Sequence, residues 1–254
     1  MTRVIKVGGR PQRDPAFPRA VASGWVSGPG GLVLVHGGGD EVSTLQGVLG
    51  GSTTFVDGRR VTTERDIDLV RMALSGSANK RLVATLVERG LDAVGLSGED
   101  AALIAASPLD ARRLGFVGLP DAVNVVFLRH LLSGGYLPVI SPVSRDGSGT
   151  LGAALNVNGD DAATAIAIAL GAAELLLVSD VPGVLCHGNV LAALTPAEAR
   201  GLLSDGTAGG GMRTKLQAAA AAVEGGVPRV RISDIGAIAD LTRGTVVALA
   251  KNLS

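Results

Sequence analysis

Cysteine is almost missing from this 254-residue sequence: Cys186 stands alone, so no internal disulfide and no multi-cysteine metal site can form. Aromatic residues make up only 2% of the chain, and net charge is absent, 23 Lys and Arg cancelling 23 Asp and Glu. A nucleic-acid groove needs a basic face and stacking aromatics, so these two shortages exclude nucleic acid as a partner. No apolar run approaches the roughly 20 residues of a membrane span. Arg3 and Lys6 interrupt the first apolar stretch, which therefore does not read as a signal peptide. A cytoplasmic protein with no membrane partner is expected. The GxxxxGK[ST] of P-loop NTPases and the GxSxG of α/β-hydrolases are both missing, and His36, His130 and His187 lack the spacing of zinc ligands.

What is abundant is apolar and small. Hydrophobic residues are 46% of the chain and glycines number 37. Short, largely apolar runs at 3–7, 32–35, 91–96, 136–141, 174–179, 229–233 and 244–249 read as strands, and 101–106 with 116–119 as a small antiparallel pair. Helices are expected from Asp40, over 63–89, 120–132, 160–170, 196–203 and 211–223, with a turn at 145–149. Buried strands alternating with helices specify an α/β fold, a three-layer α-β-α sandwich around a mostly parallel open sheet. Gly147 to Gly152 matches GxGxxG, but no strand leads directly into it and no helix starts inside it, so it reads as a hairpin turn.

Two strands run straight into glycine turns, Lys6-Val7-Gly8-Gly9 and His36-Gly37-Gly38-Gly39. Glycine lets an anion approach the backbone, and N–H groups at a strand-to-helix turn can hold a phosphate. Lys6 sits near the end of a buried strand, where a lysine is costly unless paired. Lys215, in Gly211-Met212-Arg213-Thr214-Lys215, is either a solvated helix lysine or a second cation for the same anion. Arg60 is either a solvated loop residue or a guanidinium set to fork onto a carboxylate. Alternation puts Asn156, Asn158 and Asp160 on one side of an extended segment before an apolar helix. Asp160 alone could be an N-cap, but two amides and a carboxylate converging there look like a site.

These motifs, with Arg60-Val61-Thr62 and Ser179-Asp180-Val181-Pro182-Gly183-Val184, occur in the order seen in the amino-acid kinase family, which the chain resembles over nearly its whole length. Within that family they are similar to the branch acting on N-acetyl-L-glutamate. The resemblance implies phosphoryl transfer from ATP to that side-chain carboxylate. It implies Lys6, Asp160 and Lys215 as catalytic groups, and Gly8, Gly9, Gly38, Gly39, Arg60, Asn156 and Asn158 around the acceptor. Asp180, Val181, Gly183, Val184, Gly209, Gly211 and Met212 would hold the nucleotide, with Mg²⁺ carried mainly on ATP phosphates. An N-terminal lobe, residues 1–155, would bind the acyl amino acid and dimerise, and residues 156–254 would bind MgATP. Because the chain opens directly on a strand, a homodimer without arginine feedback is expected. Gly159 departs from the family, which commonly has alanine there, and is expected to loosen the chain before Asp160. Two alternatives are an acceptor attached to a carrier protein, for which only Arg112 and Arg113 offer a basic docking stretch, and a non-catalytic sensor.

Overall fold

Side chains alternate across the strand that opens the chain. Val4 packs into one apolar cluster, while Ile5 and Val7 pack into another on the opposite face. The computed structural model describes residues 1–27, 31–56, 58–149, 154–204 and 209–253. In chain order its elements are β1 (Arg3–Val7), α1 (Phe17–Ser27), β2 (Leu32–His36), α2 (Gly39–Val48), β3 (Phe55–Val56), β4 (Arg59–Arg60), α3 (Glu64–Val70), α4 (Asn79–Val87), β5 (Ala93–Gly98), β6 (Ile104–Pro108), α5 (Ala111–Leu114), β7 (Val117–Val123), α6 (Val125–Ser133), β8 (Leu137–Asp146), β9 (Ala154–Val157), α7 (Gly159–Leu170), β10 (Glu174–Val178), β11 (Leu185–Cys186), β12 (Asn189–Val190), β13 (Ala193–Leu194), α8 (Pro196–Ser204), α9 (Gly210–Glu224), β14 (Val230–Ser233) and β15 (Thr245–Val247).

The strands β14, β10, β1, β2, β8 and β5 lie side by side in that order, every neighbouring pair parallel. Antiparallel pairing enters toward the margins, at β14–β15, β6–β7 and β8–β9. One face carries α7 and α9 through Ala162, Ala163, Ile166, Leu216 and Ala219. The other carries α1 and α4 through Phe17, Val21, Leu82 and Leu86. The architecture is therefore the expected three-layer α/β sandwich. Alanine on the facing surfaces of α7 and α9 leaves room for close approach: Thr164 Oγ1 reaches the Ala218 carbonyl at 3.4 Å.

Several expectations need correction. The stretch 120–132 is not one helix: β7 continues to Val123, and α6 starts after Asn124, whose side chain accepts from the Phe127 amide at 3.1 Å. An N-cap asparagine, not the apolar pattern, sets that boundary. The helix expected over 63–89 is helical from Glu64 to Val87, but Arg71–Ala78 is wound as a π-helix. Ser75-Gly76-Ser77 is a weak α-former, and Ser75 bonds Ser141 on β8 at 2.7 Å, which favours the wider winding. The turn expected at 145–149 begins later, because β8 runs through Asp146 to pair with β6. Gly147 and Gly149 follow β8 in its antiparallel connection to β9, as a hairpin requires, while Gly152 lies outside the described residues.

Candidate active site

Adjacent parallel strands β1 and β2 end level with each other, Val7 opposite His36, and their glycine turns touch. A Cβ on Gly9 would lie 3.3 Å from Gly38 Cα. Gly38 itself has φ +154°, and a Cβ there would come within 2.7 Å of Leu74, so only glycine fits. Ligands of open parallel sheets bind beyond these carboxyl ends. Three helices also start here, α2 at Gly39, α7 at Gly159 and α9 at Gly210, and their first-turn residues Gly39, Gly159 and Gly211 line the same space with the positive ends of the helix dipoles.

Lys6 and Val4 share a face of β1, so the Lys6 side chain runs toward α7. There Nζ lies 2.8 Å from Asp160 Oδ1. Lys215 Nζ reaches the same carboxylate at 3.3 and 3.5 Å, and Thr214 Oγ1 donates to Oδ2 at 3.0 Å. Lys6, Asp160 and Lys215 are all buried. Burial alone would raise the Asp160 carboxyl, but the two ammonium groups outweigh it and hold it well below the usual carboxylate range. Lys215 is pushed down to about 8, by burial first and then by repulsion from Lys6. Two buried cations share one anion, so the cluster carries an excess positive charge.

Two cavities meet at this cluster, sharing Gly8, Gly9, Gly39, Gly211 and Lys215 in their walls. One, of about 530 Å³, is lined by Asp180, Val181, Val184, Gly209 and Met212 among others. The other, of about 270 Å³, is lined by Lys6, Gly38, Arg60, Asn156, Asn158 and Asp160, with an apolar wall from Val42, Val70, Leu74 and Val117. Each cavity draws on both sides of residue 155, Gly8, Arg10 and Asp40 lining the first and Asp160 and Lys215 the second. Of the sequence-selected residues, Gly183 is brought to neither. It packs beneath the turn, where a Cβ would lie 2.6 Å from Val190 and 2.8 Å from Thr245.

Arg60 is buried, its guanidinium donating to the Gly39 carbonyl (2.7 Å), Ser43 Oγ (2.8 Å) and Thr53 Oγ1 (3.1 Å), and lying 5.1 Å from the centroid of the Phe55 ring. Among the described residues no carboxylate pairs with it. Burial lowers its pKa, opposed by the charges of Asp66 and Asp40. Asn156 Nδ2 donates to Thr62 Oγ1 at 2.9 Å, which in turn donates to the Arg60 carbonyl at 3.0 Å. Asn158 is the N-cap of α7, accepting from the Asp160 amide at 2.8 Å. Gly159 has a use that its sequence position does not reveal: a Cβ there would fall 3.1 Å from Lys6 Cε, so glycine makes room for the Lys6 side chain.

Gln12, Asn79, Thr214 and Arg59 are not among the site residues expected from the sequence. Arg59 pairs with Asp161 at 2.8 Å and lines the smaller cavity. Asn79 is fully buried, and its Nδ2 meets His36 Nε2 at 3.1 Å and the Val139 carbonyl at 2.9 Å. Gln12 Nε2 donates to the Gly37 carbonyl at 3.1 Å. Thr214, next to Lys215, and Arg59, next to Arg60, gave a signal in sequence that could have been followed.

Comparison with known proteins follows the same lines. The signature of the amino acid kinase family matches residues 1–234. The acetylglutamate kinase of Chloroflexus aurantiacus (strain ATCC 29366 / DSM 635 / J-10-fl) is 44% identical over 239 residues, 93% of each chain. That of Rubrobacter xylanophilus (strain DSM 9941 / JCM 11954 / NBRC 16129 / PRD-1) is 44% identical over 227 residues, 89% of this chain and 87% of its own. Among solved structures, smu.665 from Streptococcus mutans UA159 superposes with a TM-score of 0.87 at 29% identity, covering 97% of this chain and 98% of that one. The family signature and the sequence identity both extend over most of the length, and the chain belongs to the amino acid kinase family.

Proposed function

We propose that this protein transfers the γ-phosphoryl group of ATP to the side-chain carboxylate of N-acetyl-L-glutamate, giving N-acetyl-L-glutamyl phosphate and ADP. The observation that carries the reading is the meeting of two cavities at a buried cluster with excess positive charge. Its support in sequence is the 41–44% identity to proteins named acetylglutamate kinase.

A glutamate-type side chain has a pKa of about 4.3, so the nucleophile is already ionised at pH 7 and needs no general base. A carboxylate oxygen attacks the γ-phosphorus as the bond to the β-phosphate oxygen breaks, and that electron pair leaves with ADP. The chemistry needs alignment and charge neutralisation. Lys6 and Lys215 supply the charge, and Asp160 keeps the two ammonium groups from separating. Gly8, Gly9, Gly38 and Gly39 offer backbone donors around the moving group. Arg60 and Asn156 hold the acceptor's α-carboxylate and acylated nitrogen, while Asp180, Val181 and Met212 border the nucleotide. Mg²⁺ enters as part of the substrate MgATP; among the described residues no group of three His, Cys, Asp or Glu could hold a metal. The reading extends to a cytoplasmic homodimer, and light scattering on the purified protein tests the dimer mass.

The test is to trap the acyl phosphate with hydroxylamine in the presence of ATP. N-acetyl-L-glutamate should give hydroxamate well above L-glutamate, N-acetyl-L-aspartate and N-acetyl-L-2-aminoadipate. No hydroxamate from any of the four overturns the proposal, and preference for the aminoadipate favours a carrier-bound acceptor.

A further inference from the structure

Both peptides flanking Gly37 are fixed by hydrogen bonds, the one leading to Gly38 through its carbonyl. The Gly37 amide donates to the Val7 carbonyl at 2.9 Å. The Gly37 carbonyl lies 2.9 Å from His36 Nδ1 and accepts from Gln12 Nε2 at 3.1 Å. Asn79 Nδ2 donates to His36 Nε2, so the imidazole proton sits on Nδ1 and points at Gly37. Burial pushes the His36 pKa down to about 4, which keeps the ring neutral at pH 7.

A peptide unit is planar and trans, so its C=O and N–H point to opposite sides. Gln12 lines a separate cavity behind the turn, with Arg81 and Leu82. The Gly37 carbonyl is drawn to that side, and the Gly38 amide therefore points the other way, toward the smaller cavity whose wall Gly38 forms. Among the described residues that amide donates to no carbonyl. The helical run that carries Asn79 also packs against the turn, with Leu74 and Ala78 next to Gly38. Asn79 reaches His36 because residue 95 is glycine; a Cβ there would sit 2.1 Å from Asn79 Oδ1. A buried imidazole and two buried amides are a costly way to fill space that apolar side chains would fill more cheaply.

We propose that His36 and Gln12 are positioning residues that aim the Gly38 amide at the transferring phosphoryl group, with Asn79 holding His36 as the donor. The proposal deepens the phosphoryl-transfer reading above and rests on it.

The test compares Gln12→Met, His36→Leu and His36→Asn with the wild type. Each variant is measured for thermal midpoint, kcat, MgATP KM, and affinity for AMP-PNP against ADP by calorimetry. Loss of one transition-state donor costs about 10²–10³ in rate, so a misaimed one should cost about tenfold or more. Gln12→Met and His36→Leu should lose that much kcat, and the preference for AMP-PNP over ADP that they lose should reappear as a comparable rise in MgATP KM. His36→Asn, which restores an N–H near the Nδ1 position, should recover most of both. Wild-type kcat in Gln12→Met and His36→Leu overturns the proposal. So does an asparagine variant no better than leucine, or a loss that tracks the thermal midpoint alone. The nucleotide comparison needs no acceptor. A wild type that makes no hydroxamate yet discriminates the two nucleotides through His36 would overturn the acetylglutamate reading and leave the positioning role standing.

Discussion

Lys6 Nζ lies 2.8 Å from Asp160 Oδ1, with less than a tenth of either side chain exposed. Lys215 shares the same carboxylate, so a single negative charge faces two positive ones inside the protein. Such a cluster is poorly balanced as a structural ion pair and well balanced for an incoming polyanion. The carboxylate then orients the ammonium groups without cancelling them.

Asp160→Asn leaves both ammonium groups buried without a counter-charge. Removing one partner of a buried pair costs about 3–5 kcal/mol, so the thermal midpoint should fall clearly. The rate should fall by at least about 10²-fold as the two cations separate. MgATP stabilises by binding the folded state, and its phosphates replace the missing negative charge, so it should raise the variant's midpoint more than the wild type's. Differential scanning fluorimetry with and without MgATP checks this, and equal ligand shifts would remove the charge-sharing account.

Lys215 predicts an alkaline limb. Burial and Lys6 push its pKa down to about 8 in the free protein, against an ordinary value of 10.5. kcat/KM for MgATP should therefore fall about tenfold per pH unit above roughly pH 8, as the ammonium is lost. Bound phosphate raises that pKa again, so kcat should fall only at higher pH. Lys215→Arg, if active, should flatten the limb. Stability follows the opposite course: the folded protein binds fewer protons than the unfolded chain between about pH 8 and 10.5, so this lysine's penalty fades as pH rises through that window. A pH–rate profile beside urea melts at pH 7.5 and 9.5 separates the two effects.

Much of this was legible in the sequence because it rests on local rules. Largely apolar strands running into glycine turns mark β1 and β2, and a lysine inside a buried strand announces an anionic partner. Less legible was anything set by partners distant in sequence. Gln12 and Asn79 look like ordinary polar residues until folding brings the Gly37 and Val139 carbonyls to them. The π-helical turn that carries Leu74 and Ala78 breaks no hydrophobic pattern. Nor does the sequence show that Val190 and Thr245 pack where a Gly183 side chain would stand. The start of α6 was readable only through Asn124, amid an apolar run that suits strand and helix equally.

Gly159→Ala sets helix propensity against site geometry. Alanine stabilises a helix interior by up to about 1 kcal/mol relative to glycine, and less at the first turn. Its Cβ would press on Lys6 Cε at 3.1 Å, a contact that the flexible lysine relieves by moving a few tenths of an ångström. The variant should melt slightly higher and turn over several-fold more slowly, with unchanged KM for MgATP. A variant that melts lower would show that the lysine cannot shift and that glycine is required for folding.

Arg60 is where acceptor recognition and local structure compete most closely, since its guanidinium both lines the smaller cavity and ties Gly39, Ser43 and Thr53 together. Lysine retains charge but not the planar fork, and methionine retains only bulk. If Arg60 grips the acceptor's α-carboxylate, Arg60→Met should raise acetylglutamate KM by about tenfold or more, because a charged hydrogen bond is worth about 1.5–3 kcal/mol. Arg60→Lys should recover part of that loss, and MgATP KM should stay near wild type in both. Were the residue only a brace for α2, both KM values and the thermal midpoint would shift together, because Gly39 borders both cavities. Two-substrate kinetics on the two variants therefore decide whether the charge of Arg60 serves the acceptor or the scaffold.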